Sequence, residues 1–137
     1  MARAEKATYK AKQPEFYSDF CINLDLNPVT GQLAKLTNEE EIKQSVKMAV
    51  LTGIGERPYN VTYGSKVKAS MFDLADDLVI EDIKTSVRES FQHEPRAQFI
   101  GMDAVFQNLS LYIVIAFSCA AFPNKVLQVP IILKNVR

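Results

Sequence analysis

Two short charged segments hold the residues of this chain that are best suited to chemistry or recognition. They are Glu56-Arg57-Pro58 and Glu94-Pro95-Arg96, and each lies where a helical pattern stops. A carboxylate and a guanidinium beside a proline form a rigid unit for directional, charge-assisted hydrogen bonds. We interpret all six residues as candidate partner-binding residues. The alternative for the second segment is an internal ion pair that pins a helix to a sheet, and the two roles are compatible.

Catalysis by histidine would have to pass through His93, because it is the single histidine of the chain. Serine and cysteine triads and multi-histidine metal sites all need this residue. Its position beside Glu94, at the end of a predicted helix, is instead typical of a surface cation that complements the helix dipole. Gly53-Ile54-Gly55 also lacks the lysine and the third glycine of a phosphate-binding loop. The sequence therefore predicts no catalytic residue, metal site or cofactor.

The composition indicates one domain with no strong attraction to nucleic acid or membranes. The chain has 137 residues, the size of a single domain. Sixteen Lys and Arg balance sixteen Asp and Glu, so no net field draws it to an anionic polymer or lipid surface. Cys21 and Cys119 are far apart and are expected to stay reduced. The first residues lack the apolar segment of a signal peptide, which favours a cytoplasmic origin.

The N-terminal region is predicted to form a hairpin or an ordered arm. Apolar and polar residues alternate from Phe16 to Leu26, as in a half-buried strand. Pro28 and Gly31 then favour a chain reversal. Residues 1–14, before this strand, are polar and basic, and we expect them to form a flexible arm.

The first helix is predicted from its capping and its ending. Thr37 and Glu40 form a capping-box pattern, and apolar residues recur at helical spacing over about 38–52. Gly53 and Gly55 are expected to end the helix, because glycine readily adopts the left-handed conformation found there.

Two further helices lie between the charged segments. A short one begins near Ser65, and its apolar face is formed by Val67, Met71 and Leu74. A longer one begins near Leu78 behind a cluster of acidic residues, which favour a helix N-terminus. Pro95 disfavours the helical conformation for the residue before it, so this helix ends at the second charged segment.

The C-terminal part is predicted to be a small sheet. Two strands, at about 98–106 and 109–120, meet near Gln107, and the second is apolar on both faces, as in a central strand. A last strand at Val126–Leu133 contains Pro130, which is tolerated mainly at a sheet edge. The predicted fold is a single α+β domain, with about three helices packed on a small, mostly antiparallel sheet and an N-terminal strand or arm.

A set of motifs in this order and spacing resembles one known family. The chain is similar to the contractile-tail phage baseplate wedge proteins, the sheath-initiator family long called gene-25-like lysozyme, which has relatives in type VI secretion baseplates. The resemblance covers roughly residues 16 to 120. The matching pieces are Phe16-Tyr17-Ser18-Asp19-Phe20, Asn27-Pro28-Val29-Thr30-Gly31, Ile42-Lys43-Gln44-Ser45-Val46, Leu51-Thr52-Gly53-Ile54-Gly55-Glu56-Arg57-Pro58-Tyr59-Asn60, Tyr63-Gly64-Ser65 and Glu94-Pro95-Arg96.

The resemblance implies a structural role in a virion. It implies that residues 15–137 are a baseplate wedge domain that links the wedge complex to the first sheath ring and initiates sheath assembly. The implied partners are other wedge proteins, the tail sheath protein and the tail tube or hub, with six copies of this chain assembled in the bacterial host cytoplasm. The sheath would add a strand at Val126–Leu133 or at the Phe16–Leu26 arm.

Two other functions remain open at this point. The lysozyme label of the family raises the question of paired carboxylates, for which Glu56 and Glu94 are the candidates. Each lies beside or near an arginine, which lowers the pKa of a carboxylate, whereas the general acid of a muramidase needs a raised pKa. A generic cytoplasmic adaptor is the other alternative.

Overall fold

The computed structural model describes residues 14–73 and 76–134. Residues 1–13 of the predicted basic arm lie outside these ranges, and so does Leu74. In chain order the elements are β1 (Ser18–Phe20), β2 (Lys35–Thr37), α1 (Glu39–Leu51), α2 (Val67–Ser70), α3 (Asp77–Ser90), a 3-10 turn (Phe91–His93), β3 (Ala97–Gln107), β4 (Ser110–Cys119) and β5 (Phe122–Lys134). The predicted α+β class is confirmed.

The main sheet has three antiparallel strands in the order β3-β4-β5. Strand β4 is central, as predicted, and β5 with Pro130 is an edge strand. The turn between β3 and β4 has positive φ at Asn108 (48°) and Leu109 (64°), which is the geometry that suits a two-residue hairpin. One face of β4 is fully buried, and it consists of Leu111, Ile113, Ile115, Phe117 and Cys119.

The helices cover this buried face. Helix α1 contributes Ile42, Val46 and Val50 to the core, and α3 contributes Ile83 and Val87. Both sets recur at a four-residue spacing, which places side chains on one face of a helix. Helix α3 begins as predicted, with the Asp76 side chain accepting the backbone N–H of Leu78. Within the described ranges, no helix is long and apolar enough to cross a membrane.

The capping box predicted at Thr37 is wrong. Helix α1 begins after Asn38, whose side chain makes no cap hydrogen bond. Instead, Asn38 Oδ1 accepts the backbone N–H of Phe16 at 2.8 Å, and Asn38 Nδ2 donates to the carbonyl of Pro14 at 3.1 Å. The side chain that precedes the helix therefore holds the N-terminal arm rather than the helix, because its hydrogen bonds go to a segment distant in sequence.

The predicted left-handed ending at Gly53 is also wrong. Thr52 is extended there, with φ −78° and ψ 127°, and only Gly55 of the two glycines has positive φ, at 88°. Gly53 donates its N–H to Glu56 Oε2 at 2.8 Å. A Cβ on Gly53 would lie 3.0 Å from Glu56 Cδ. The absence of a Cβ thus gives the Glu56 side chain room to lie close to the backbone, and a larger residue would displace the end of that side chain.

The arm, residues 14–37, differs from the half-buried strand that was predicted. Only Ser18–Phe20 pairs with β2, and Leu24, with φ 54°, interrupts the extended chain. The chain reversal is confirmed by Gly31, whose N–H donates to the Asn27 carbonyl at 2.8 Å. The alternating apolar side chains are exposed, and they include Phe16, Phe20, Ile22, Leu24 and Leu26. Burial of that face was a wrong prediction, since these five side chains are 56% to 64% exposed.

A single side chain of α1 completes the edge of this arm. Gln44 Oε1 accepts the N–H of Ile22 at 2.9 Å, and Gln44 Nε2 donates to the carbonyl of Phe20 at 2.9 Å. These are the two bonds that one residue of a parallel neighbouring strand would make. The other edge of β1 pairs with β2. The backbone between Phe20 and Ile22 is therefore occupied on both sides.

We predict that Gln44→Leu loosens the arm without unfolding the body. Loss of two exposed hydrogen bonds should cost about 1 to 2 kcal/mol locally. The amide of Ile22 should then exchange about 5 to 30 times faster with solvent deuterium, measured by NMR. Lys47→Leu, also on α1, is the matched control and should leave that rate unchanged. An unchanged Ile22 rate in Gln44→Leu would contradict the clamp.

Candidate partner-binding site

The second charged segment is the centre of a buried ionic network. Arg96 Nε and Nη2 donate to the two carboxylate oxygens of Glu94 at 2.6 and 2.9 Å. Its Nη1 and Nη2 donate to the oxygens of Glu41 at 2.9 and 3.1 Å. Ser45 Oγ also donates to Glu94. One guanidinium is thus bound by two carboxylates from different parts of the chain.

We call these residues, Glu41, Ser45, Glu94 and Arg96, the Arg96 network. Glu41 and Ser45 lie one turn apart on the same face of α1, so both reach the junction between α3 and β3. The carboxylates are buried, with Glu41 7% and Glu94 5% exposed. The guanidinium also lies 4.8 Å from the ring of Tyr17 in the arm. Three separate regions of the fold therefore meet at one cation.

The surroundings of Glu94 and Arg96 favour the charged form of each. Burial alone raises the pKa of Glu94, but hydrogen bonds from Arg96 and Ser45, together with the Arg96 charge, outweigh burial and leave that pKa lowered. The hydrogen bond with Glu94 is the main cause that raises the pKa of Arg96. Glu94 and Arg96 therefore both favour their charged forms near neutral pH.

The first charged segment is exposed and differently arranged. Glu56 accepts the N–H of Gly53 and lies 3.5 Å from Lys68 Nζ. That backbone hydrogen bond is the main cause that lowers the pKa of Glu56, and Lys68 adds to it. Neither Glu56 nor Glu94 has the raised pKa of a general acid. Among the described residues, no cluster of acidic, histidine and cysteine side chains could hold a metal.

Tyr63 links the two charged segments. The guanidinium of Arg57 lies 4.5 Å from the centre of the Tyr63 ring, and that ring lies 5.2 Å from the ring of His93. Arg57 thus lies near His93, the residue that precedes Glu94, and Pro58 lines the same concave surface as both. The structure brings the two segments into one region, but Arg57 takes no part in the Arg96 network.

Sequence reasoning missed four residues of this region: Tyr17, Glu41, Gln44 and Ser45. Glu41 is one of three acids in the first turn of α1, where acidic residues are common for helix stability alone. Its partner Arg96 is 55 residues away. The only available signal was the shared helical face of Glu41 and Ser45, which does not identify a partner.

No protein-family model matches this sequence, and no curated protein is significantly similar to it. A candidate tail lysozyme from Geobacter sulfurreducens has a TM-score of 0.59 and 23% identity, over 72% of this chain and 94% of that chain. A chain of the anti-feeding prophage baseplate, solved with 6-fold symmetry, also has a TM-score of 0.59, with 20% identity over 88% of this chain and 87% of that chain.

This chain has the fold of those two proteins. A chain of the pyocin R2 baseplate after contraction aligns with a TM-score of 0.48 and 19% identity, over 82% of this chain and 98% of that chain.

We predict that Arg96→Ala destabilises the protein by about 3 kcal/mol, because it leaves two buried carboxylates without a cation. The value lies at the lower end for buried pairs, since 30% of the Arg96 side chain is exposed. Chemical denaturation measures the change. Arg88→Ala is the matched control, because the structure places Arg88 over Phe99 rather than beside a carboxylate. Equal effects of the two substitutions would contradict the network.

The lowered pKa of Glu94 also predicts how stability depends on pH. A carboxylate whose pKa is lower in the folded state stabilises the fold above its ordinary value of 4.5, and this contribution is lost as pH falls through the folded value. The free energy of unfolding should therefore decrease below about pH 4.5, and Glu94→Gln should reduce that decrease. Glu40→Gln, at an exposed position of α1, should keep it. An unchanged slope in Glu94→Gln would show that Glu94 is not responsible.

Proposed function

We propose that this protein is a structural, non-enzymatic subunit of a contractile-tail baseplate. In this proposal it links the wedge complex to the first sheath ring and initiates sheath assembly. The observation that carries the proposal is the fold shared with a chain of the anti-feeding prophage baseplate over 88% of this chain. We propose accordingly that it belongs to a virion tail baseplate, is assembled in the bacterial host cytoplasm, and is present in six copies.

We propose that the tail sheath protein attaches by adding a strand to β5. Strand addition needs a row of unpaired backbone groups. Strand β5 pairs with β4 on one side, and none of the described residues pairs with its other side. The arm is the less suitable site, because β2 and Gln44 occupy both sides of its backbone near Phe20.

Pro130 indicates which backbone groups of β5 face outward. Proline in a sheet is tolerated where the missing N–H would point away from the neighbouring strand. Pro130 lies opposite Val114, so the alternate residues Gln128 and Ile132 also direct their N–H groups outward. The backbone N–H groups of Gln128 and Ile132 would therefore donate hydrogen bonds to carbonyl groups of the added strand.

We propose that the six residues predicted from the sequence bind the wedge proteins in two different ways. Glu94 and Arg96 are positioning residues, because their charged groups are already bound to each other and to Glu41. Pro95 is exposed beside them, and Glu56, Arg57 and Pro58 are exposed as well. These four would touch the partner directly, with the tail tube or hub as a further neighbour of the subunit.

A role without catalysis agrees with the electrostatics of the two candidate carboxylates. A muramidase needs one carboxyl group that is protonated near neutral pH. The pKa values of Glu56 and Glu94 are both lowered, which favours the ionised form of each. The tail-lysozyme description belongs to the Geobacter protein, and the chemistry of this chain gives it no support here.

We predict that Gln128→Pro/Ile132→Pro abolishes sheath assembly while the protein stays folded. Both substitutions remove outward N–H groups and leave the bonds to β4 intact. Electron microscopy of assembled particles should show tail tubes without sheath, at least ten times more often than in the wild type. Circular dichroism should report the wild-type fold.

Gln128→Val/Ile132→Val is the matched control, because it changes the same side chains and keeps both N–H groups. It should assemble normally sheathed tails. Normal sheaths with the double-proline variant would overturn strand addition at β5, and loss of sheath with both variants would assign the effect to the side chains instead.

A further inference from the structure

A concave surface of about 770 Å³ lies between the arm, α1 and the loop after α1. We call it the arm groove. This volume is within the range of ordinary binding clefts. Its apolar walls consist of Phe20, Ile22 and Leu24 from the arm, Met48 from α1, and Pro58 and Tyr63 from the loop.

The walls of the arm groove are exposed to an unusual degree. Phe20 and Ile22 are each 56% exposed, Leu24 is 63% exposed and Met48 is 40% exposed. Large apolar side chains that are grouped around a concavity, rather than scattered singly, are typical of a protein interaction site. Burying them against a partner would contribute roughly 25 cal/mol for each Å² of apolar surface removed from water.

The arm groove is lined by one arginine, Arg57, and by two carboxylates, Asp19 and Glu56, which already accept the backbone N–H groups of Phe20 and Gly53. The guanidinium of Arg57 stacks on the Tyr63 ring, 4.5 Å from the centre of that ring. Within residues 14–73 and 76–134, no carboxylate lies within salt-bridge distance of Arg57. Arg96, in contrast, has two carboxylates bound to it. Stacking orders the Arg57 side chain and leaves its N–H groups available for an acidic ligand.

The backbone of the arm excludes one class of occupant. An extended peptide that added a strand to the arm would need the Phe20 carbonyl and the Ile22 N–H, which Gln44 already satisfies on the side of α1. A helix satisfies its own backbone and binds through side chains alone. A groove with apolar walls and closed backbone edges therefore fits a helix better than a strand.

We infer that the arm groove receives one amphipathic helix of a neighbouring baseplate subunit, which packs an apolar stripe between the walls and pairs a carboxylate with Arg57. This inference rests on the proposed function and names the chemistry of the wedge partner. The helix is recognised through Arg57, and the Arg96 network holds α1 and the arm in place around it.

The test uses the full chain and three synthetic helical peptides of about 14 residues, roughly 21 Å long. The peptides share a leucine stripe and differ at one flanking position, which is Glu, Gln or Lys. Binding is measured by fluorescence anisotropy, and the site is mapped by NMR shift changes. The Glu peptide should bind about tenfold more tightly than the Gln peptide, with shifts at Ile22, Met48 and Tyr63.

Charge reversal makes the test specific. Arg57→Glu should reverse the preference, so that the Lys peptide binds more tightly than the Glu peptide. Arg88→Glu, at an exposed arginine on α3, is the matched control and should keep the wild-type preference. Ile22→Asp should weaken all three peptides at least tenfold, because it places a charge on an apolar wall.

Three outcomes would overturn the inference. One is no detectable binding of the Glu peptide at millimolar concentration, and another is binding with no preference among the three peptides. The third is a dimer of the wild-type chain in sedimentation experiments that Arg57→Glu dissociates, since a second copy would then occupy the groove. Peptide binding by the isolated chain does not depend on sheath assembly, so failure here is distinct from failure of the β5 variants.

Discussion

The placement of Arg96 between two buried carboxylates is the interaction on which the rest of this structure depends. A guanidinium is rigid and planar, so bidentate contacts with Glu41 and Glu94 fix the directions of both side chains. Glu41 belongs to α1, and Glu94 belongs to the junction between α3 and β3. The orientation of a helix relative to the main sheet is therefore specified by charge as well as by the apolar core. The Tyr17 ring over the same guanidinium extends this control to the arm.

The hydrogen bonds within the Arg96 network leave its side chains little capacity to bind a partner. Four hydrogen bonds to carboxylates already engage Arg96, and a partner that competed for them would leave buried charges unpaired. Recognition is less costly for side chains with open hydrogen-bonding capacity. Arg57 meets this condition, because its guanidinium is ordered by an aromatic ring and not by an anion. Arg96 thus fixes the positions of α1 and the α3–β3 junction, whereas Arg57 is exposed and keeps hydrogen-bonding capacity for a partner.

The sequence predicted well the elements whose pattern is set by local geometry. The alternation in β4 and the helical spacing in α3 follow directly from which side chains face the core, and Pro130 marked the edge strand through its missing N–H. Predictions failed where a polar side chain bonds far along the chain. Asn38 and Gln44 hold the arm over separations of 22 and 24 residues, and no short-range pattern reports such bonds. The Glu41 partner of Arg96 was missed for the same reason.

The wrong prediction of burial in the arm is itself informative about assembly. The period-two pattern from Phe16 to Leu26 predicts one apolar, buried face, yet the apolar side chains of this segment are exposed in the isolated chain. Alternation of apolar and polar residues predicts that the apolar face is buried, but it does not say whether the same chain or another chain buries it. Three of the exposed residues, Phe20, Ile22 and Leu24, also line the arm groove beside Arg57. On the proposal that the arm groove receives a helix of a neighbouring subunit, the pattern describes the assembled state, in which that helix would cover the apolar side chains.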